Sequence, residues 1–121
     1  MPEAKLFKAT DLPFKPCALP SGTTQTARVV TSAFSSHMGA GFETLDNVAI
    51  EWTTLYDEVL FIHSGSILIR TDSAALEAGA GDIVWLPEGL KMVYDCAGRQ
   101  CGMFYALYPI DWARRNGMEE P

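Results

Sequence analysis

The chain has 121 residues, 48% hydrophobic and 20% charged, enough for one domain that buries its own core without disulfides or a structural metal. A formal net charge of -6 leaves no basic surface for neutralising phosphates, so nucleic acid is excluded as an expected partner. No apolar run approaches the ~20 residues of a membrane span and the N-terminus lacks a secretory core, so a cytoplasmic chain with no membrane partner is expected.

Residues 1–25 read as an extended arm. Pro13, Pro16 and Pro20 exclude both a helix interior and a central strand. The apolar Leu6, Phe7, Leu12, Phe14 and Leu19 imply that the arm lies on the main body of the domain or on a partner subunit. Thr26 to Phe34 alternates as a strand, Gly39 and Gly41 are expected to break it, and a short strand follows around Phe42 to Leu45. Another strand is expected over Val48 to Thr54.

The stretch from Tyr56 to Gly89 organises the rest. Glu58 to His63 and Ile67 to Arg70 read as a hairpin about a tight turn at Ser64-Gly65. Ile83 to Leu86 is a third strand, bounded by Gly81-Asp82 and by Pro87-Glu88-Gly89. Lys91 to Asp95 and Met103 to Tyr108 give the last two strands, with Met92 and Tyr94 on one face and Met103, Tyr105 and Leu107 on another. Short strands cut by glycine and proline turns predict an antiparallel all-β domain over residues 26–112, followed by a polar, fraying tail at 113–121. The three cysteines, Cys17, Cys96 and Cys101, include no CxxC pair and read as reduced thiols, although Cys96 and Cys101 flank a turn that could bring them close.

Two spacings carry a resemblance. Glu58 is followed by six residues and Gly65, and Gly81 by five residues, Pro87, one residue and Gly89. Both resemble the paired motifs of the cupins, which implies a single-domain jelly-roll barrel, a double-stranded β-helix, with its function in the lumen. WTTLYDEVLFIHSGSILIR, AGAGDIVWLPEG and FYALYPIDW further resemble the cupin domain of the ethanolamine-utilisation EutQ family, most particularly in Trp52, Tyr56, Asp57 and Glu58 and in the closing Tyr108 to Trp112. That resemblance implies a place in ethanolamine or amine catabolism and, as an alternative, acetate-kinase-type activity. The sequence itself has no phosphate-cradling P-loop.

Catalytic cupins hold a divalent metal through three histidines and a glutamate. Spacing from Glu58 puts the paired histidine positions on Glu51 and Thr53, or on Trp52 and Thr54, and the second-motif histidine on Met92, so of the four ligands only Glu58 is present. No cofactor is therefore expected, and an atypical metal set of Glu51, Glu58 and His37 is the alternative. With Glu51 and Thr53 facing the lumen, Val48, Ile50 and Trp52 point outward. On the next strand Glu58, Leu60 and Ile62 point inward, and Val59, Phe61 and His63 outward. Strands apolar on both faces must be covered on both, by the arm, by a second subunit or by both, so a homodimer is expected. The expected ligand is a small polar metabolite such as a cationic amine. Glu51 and Glu58 would orient it, Thr53, Tyr56, Tyr94 and Tyr105 would hydrogen-bond it, and Met92 would pack on it.

Overall fold

Alternation of apolar and polar side chains along short segments leaves each strand one face to bury, and two sheets facing each other satisfy that demand. The structure, a computed structural model, describes residues 2–16 and 23–118. Cys17, Leu19, Pro20 and the last residues of the expected tail lie outside that range. The described strands are β1 (Lys15–Pro16), β2 (Thr23–Val30), β3 (Gly39–Asp46), β4 (Ala49–Thr53), β5 (Asp57–Thr71), β6 (Ala75–Gly79), β7 (Ile83–Leu86), β8 (Lys91–Asp95) and β9 (Gln100–Tyr108), with a short helix α1 (Trp112–Arg115) after them. All pairings are antiparallel. One sheet runs β1-β2-β3-β9-β5-β7 and the other β6-β5-β8-β4, so the domain is the all-β cupin barrel that the spacings imply.

Strand β5 belongs to both sheets, which corrects the expected hairpin. Its first half pairs with β7 and β9, its second half with β6 and β8, and no turn interrupts it at Ser64-Gly65. The register instead slips between Ile62 and Ser64, and Gly65 takes a φ of 69°. A β-carbon there would run into the Gln100 carbonyl oxygen. His63 is the extra residue of that bulge, and Gly65, two residues on, takes the left-handed conformation where the long strand passes from sheet to sheet; a glycine there reads the same in sequence as one in a hairpin turn. The real hairpin lies one strand later, about Asp72 to Ala74, where the Thr71 hydroxyl accepts from Ala74 N–H at 3.1 Å.

Two further boundaries move. Strand β2 ends at Val30, and the following residues form a turn in which Phe34 N–H and Ser35 N–H both reach the Thr31 carbonyl. Gly39 and Gly41 open β3 rather than break it. At Gly41 the reason is local: a β-carbon would collide with the Ala27 carbonyl oxygen and sit 2.7 Å from the Tyr105 hydroxyl. The glycine lets a tyrosine ring lie across its strand.

The core fills the space between the sheets with Leu45, Leu60, Ile62, Ile67, Ile69 and Met103. Cys96 and Cys101 are buried free thiols at the β8–β9 end, and burial holds both above the ordinary thiol range, Cys101 at about 12. The described arm packs at the opposite end. Phe7 stacks on Phe34 at 6.0 Å, and Lys15–Pro16 adds an edge to β2.

Candidate ligand site in the barrel lumen

Period two fixes which side chains reach the lumen, and the cross-strand register shows where they meet. Ile50 and Trp52 of β4 lie directly opposite Tyr94 and Met92 of β8, so all four share the inward face. Glu51 and Thr53 therefore point outward and are exposed. They line a shallow surface groove with Arg70, Asp72 and Lys91. Their expected place in the lumen is thus overturned. The alternative spacing, which put Trp52 and Thr54 at those positions, matches the structure, because burial of Val48, Ile50 and Trp52 outweighs that of Glu51.

Thr54 is almost fully buried, and it ties the two motifs together. Its hydroxyl donates to the Pro87 carbonyl at 2.6 Å and accepts from Leu90 N–H at 2.9 Å. Its carbonyl takes the Gly89 N–H, while Asp57 Oδ1 takes the Glu88 N–H at 2.9 Å. The Pro-x-Gly turn is therefore clamped onto the start of β5, next to Glu58.

A cavity of about 560 Å³ opens at this end of the barrel. Glu58, Tyr56, Tyr94 and Tyr105 line it, as the sequence predicts, together with Glu43, Arg28, Trp52 and Trp112. Pro13, Lys15 and Pro16 of the arm form part of its rim. Trp112 closes one wall, with its ring 6.2 Å from Trp52 and 5.0 Å from Tyr56. The closing Tyr-Pro-x-Asp-Trp element is accordingly part of the site. Met92 is buried in the core beneath Trp52 and does not line the cavity.

Glu43 is the residue that sequence reasoning missed. The expected Phe42–Leu45 strand contains it, but with Phe42 on one face and Leu45 on the other, alternation alone does not say which face is inward; in β3 Gly41, Glu43 and Leu45 share the inward one, with Leu45 deep in the core. Burial pushes the Glu43 carboxyl up to about 7 against the pull of the Arg28 guanidinium. Burial first, and then the Glu43 charge, push Glu58 up to about 8, which the hydrogen bond from the Tyr94 hydroxyl to Glu58 Oε1 at 2.8 Å only partly offsets. Burial likewise raises Tyr56, Tyr94 and Tyr105, the last to about 12, so all three hydroxyls keep their protons at neutral pH. The Trp52 indole N–H lies near enough to the Tyr56 hydroxyl to work against that rise, but among the described residues it makes no hydrogen bond.

The set Glu51, Glu58 and His37 does not assemble. Glu51 is outside the barrel, Glu58 inside, and His37 exposed in the loop before β3, where its backbone carbonyl accepts from Ile110 N–H. Among the described residues no group of three or more His, Cys, Asp or Glu side chains is placed to hold a metal. The lumen offers carboxyl and phenol oxygens and no imidazole, a donor set that does not fit the histidine-held metal of catalytic cupins.

The model of the ethanolamine utilisation protein EutQ family matches residues 11–114. The chain belongs to the EutQ family. It is 28% identical over 97 residues to the acetate kinase EutQ of Clostridioides difficile strain 630, covering 80% of this chain and 61% of that protein, so it spans less than two thirds of that EutQ relative's length. The EutQ structure from Salmonella typhimurium LT2 superposes with a TM-score of 0.79 at 26% identity, over 88% of this chain and 87% of that one. The polyketide cyclase RemF of Streptomyces resistomycificus matches at a TM-score of 0.77 and 13% identity over 88% and 80%, a likeness of cupin fold alone. No described helix is long and apolar enough to cross a membrane.

Proposed function

We propose that this EutQ-family cupin binds a small polar metabolite carrying a primary ammonium group, such as an amino alcohol, in its barrel lumen. The observation that carries this reading is the pair of carboxyls, the buried Glu58 and the half-buried Glu43, in one cavity walled by Trp52, Tyr56, Tyr94, Tyr105 and Trp112. Carboxylates answer an ammonium by charge, and aromatic faces answer it through the ring quadrupole. The family name supports ethanolamine as the first probe. Titration calorimetry with ethanolamine, against ethylene glycol and acetate as neutral and anionic comparators, tests it. Saturable binding of ethanolamine alone, weakened about 10-fold or more in Glu58→Gln, is expected. Equal binding of the three probes, or none, overturns the reading.

A second reading follows from the C. difficile relative's name, acetate kinase. In its favour, Arg28 and Lys15 line the same cavity and could meet an anionic acyl phosphate. A coupled assay of acetyl phosphate formation decides it, since a rate that is unchanged in Arg28→Ala assigns the activity elsewhere.

A further inference from the structure

The two carboxyls answer an ammonium in the inner part of the lumen and leave its mouth unaccounted for. A cavity of about 560 Å³ lies in the ~300–1,000 Å³ range of sites that enclose drug-sized molecules, so an ammonium head on Glu58 and Glu43 leaves room for a second polar group. Thr24, Thr26 and Arg28 alternate on the face of β2 that lines the cavity, with Thr26 opposite Glu43 on one side and opposite Lys15 of the arm on the other. Arg28 follows two residues on, opposite Gly41. The charges are sorted by depth: Glu58 is buried and Glu43 half-buried, whereas Lys15 and Arg28 are exposed. Among the described residues Arg28 makes no ion pair with either carboxyl. Two buried polar atoms face the same space. Thr24 Oγ1 on β2 and Trp52 Nε1 on β4 of the opposite sheet have no hydrogen-bond partner among the described residues, and Thr24 is only 7% exposed. An unpaired buried donor is unfavourable, and a bound acceptor removes the penalty. Indole, guanidinium and lysine ammonium groups only donate, so what they receive is rich in acceptor oxygens and negative.

We infer that the ligand of the lumen is a zwitterion, a short primary amine whose other end is an oxyanion, held with its ammonium inward on Glu58 and Glu43 and its oxyanion outward on Arg28, Lys15 and Thr24. This rests on the ammonium reading above and adds the second end of the molecule. Two cationic and two carboxyl side chains line one cavity, so a ligand of both signs answers all four, whereas a simple amine leaves Arg28 and Lys15 facing its own positive charge. A carboxylate and a phosphate monoester both supply the oxyanion chemistry, and the two are separated by experiment.

Titration calorimetry of the full chain with O-phosphoethanolamine and 4-aminobutyrate, against ethanolamine, inorganic phosphate and acetate, tests this. At least one of the two zwitterions is expected to bind about 10-fold or more tighter than ethanolamine, and the tighter one names the oxyanion. Arg28→Ala should bring that zwitterion's affinity down to that of ethanolamine. Thr24→Val should weaken it ~3–10-fold while the thermal unfolding midpoint holds or rises, because an apolar group of the same shape replaces an unpaired hydroxyl. Ethanolamine bound as tightly as both zwitterions overturns the inference and leaves the ammonium reading standing, as does a zwitterion preference that survives both Arg28→Ala and Thr24→Val. Phosphate or acetate bound as tightly as the matching zwitterion overturns both, since the ammonium then contributes nothing, and so does silence toward every probe.

Discussion

Across the lumen, the Tyr94 hydroxyl donates to Glu58 Oε1 at 2.8 Å, a side-chain bond that spans the space between the two sheets. Glu58 stands on the half of β5 that pairs with β7 and β9, Tyr94 on β8 of the other sheet. A buried carboxyl accepting one phenol bond beside a second carboxyl is poorly compensated as an anion, and its stability consequence has a definite sign.

Both lumen carboxyls titrate higher in the folded chain than the ordinary 4.5, Glu43 at about 7 and Glu58 at about 8. Between 4.5 and those values the folded state holds more protons than the unfolded one. Stability from these groups is therefore fully present at acid pH, falls as pH rises through the window, and levels off above about 8. Thermal unfolding of wild type and Glu58→Gln from about pH 5 to about pH 9 should show the variant gaining on wild type by several degrees toward the alkaline end. Parallel curves would show that Glu58 ionises without cost.

Gly41 and Tyr105 make a second dependent pair. Gly41→Ala puts a methyl group against the Ala27 carbonyl and 2.7 Å from the Tyr105 hydroxyl, so either β3 shifts from β2 or the phenol leaves the cavity wall. Denaturant unfolding should show a loss of about 1–3 kcal/mol. Combining Gly41→Ala with Tyr105→Phe should recover part of it, because the phenol oxygen is one of the two obstacles.

The motif spacings made the barrel legible, since Glu58…Gly65 and Gly81…Pro87…Gly89 name positions that the fold needs for geometry: the passage of β5 from sheet to sheet, and a turn clamped by Thr54. Local geometry was less legible, because a glycine at φ 69° reads the same just after a bulge as in a tight turn. The lumen was half legible. Glu58, Tyr56, Tyr94 and Tyr105 follow from alternation, and alternation also places Ile50 and Trp52 inward. Aligning β4 to histidine positions that this chain does not fill put Glu51 in their place. Glu43 is hidden by its neighbours: Phe42 and Leu45 are apolar on opposite faces of the same strand, so alternation does not choose the inward one.

That exchange of Glu51 for Glu43 is directly measurable. Glu51→Gln should leave ethanolamine affinity and unfolding unchanged, because the side chain is on the outer face of β4. Glu43→Gln should lower affinity about 10-fold and bring the Glu58 carboxyl down, since the Glu43 charge is one of the causes raising it. Equal effects of the two substitutions would return Glu51 to the site.

Ammonium binding must also move a proton. In the free chain near neutral pH the pair holds at least part of a proton between Glu43 and Glu58, because burial and mutual repulsion disfavour two charges in one cavity. An ammonium between them favours the ionised forms, lowers both pKa values and expels that proton to solvent. Affinity should therefore rise with pH through about 7 to 8 and flatten above the higher value. Calorimetry at pH ~7 in buffers of different ionisation enthalpy, such as phosphate and Tris, should give binding enthalpies that differ in proportion to the released proton, and the difference should shrink in Glu58→Gln. Identical enthalpies in all buffers would mean that both carboxyls are already charged before the ligand arrives, and that the lumen is wetter than its aromatic walls suggest.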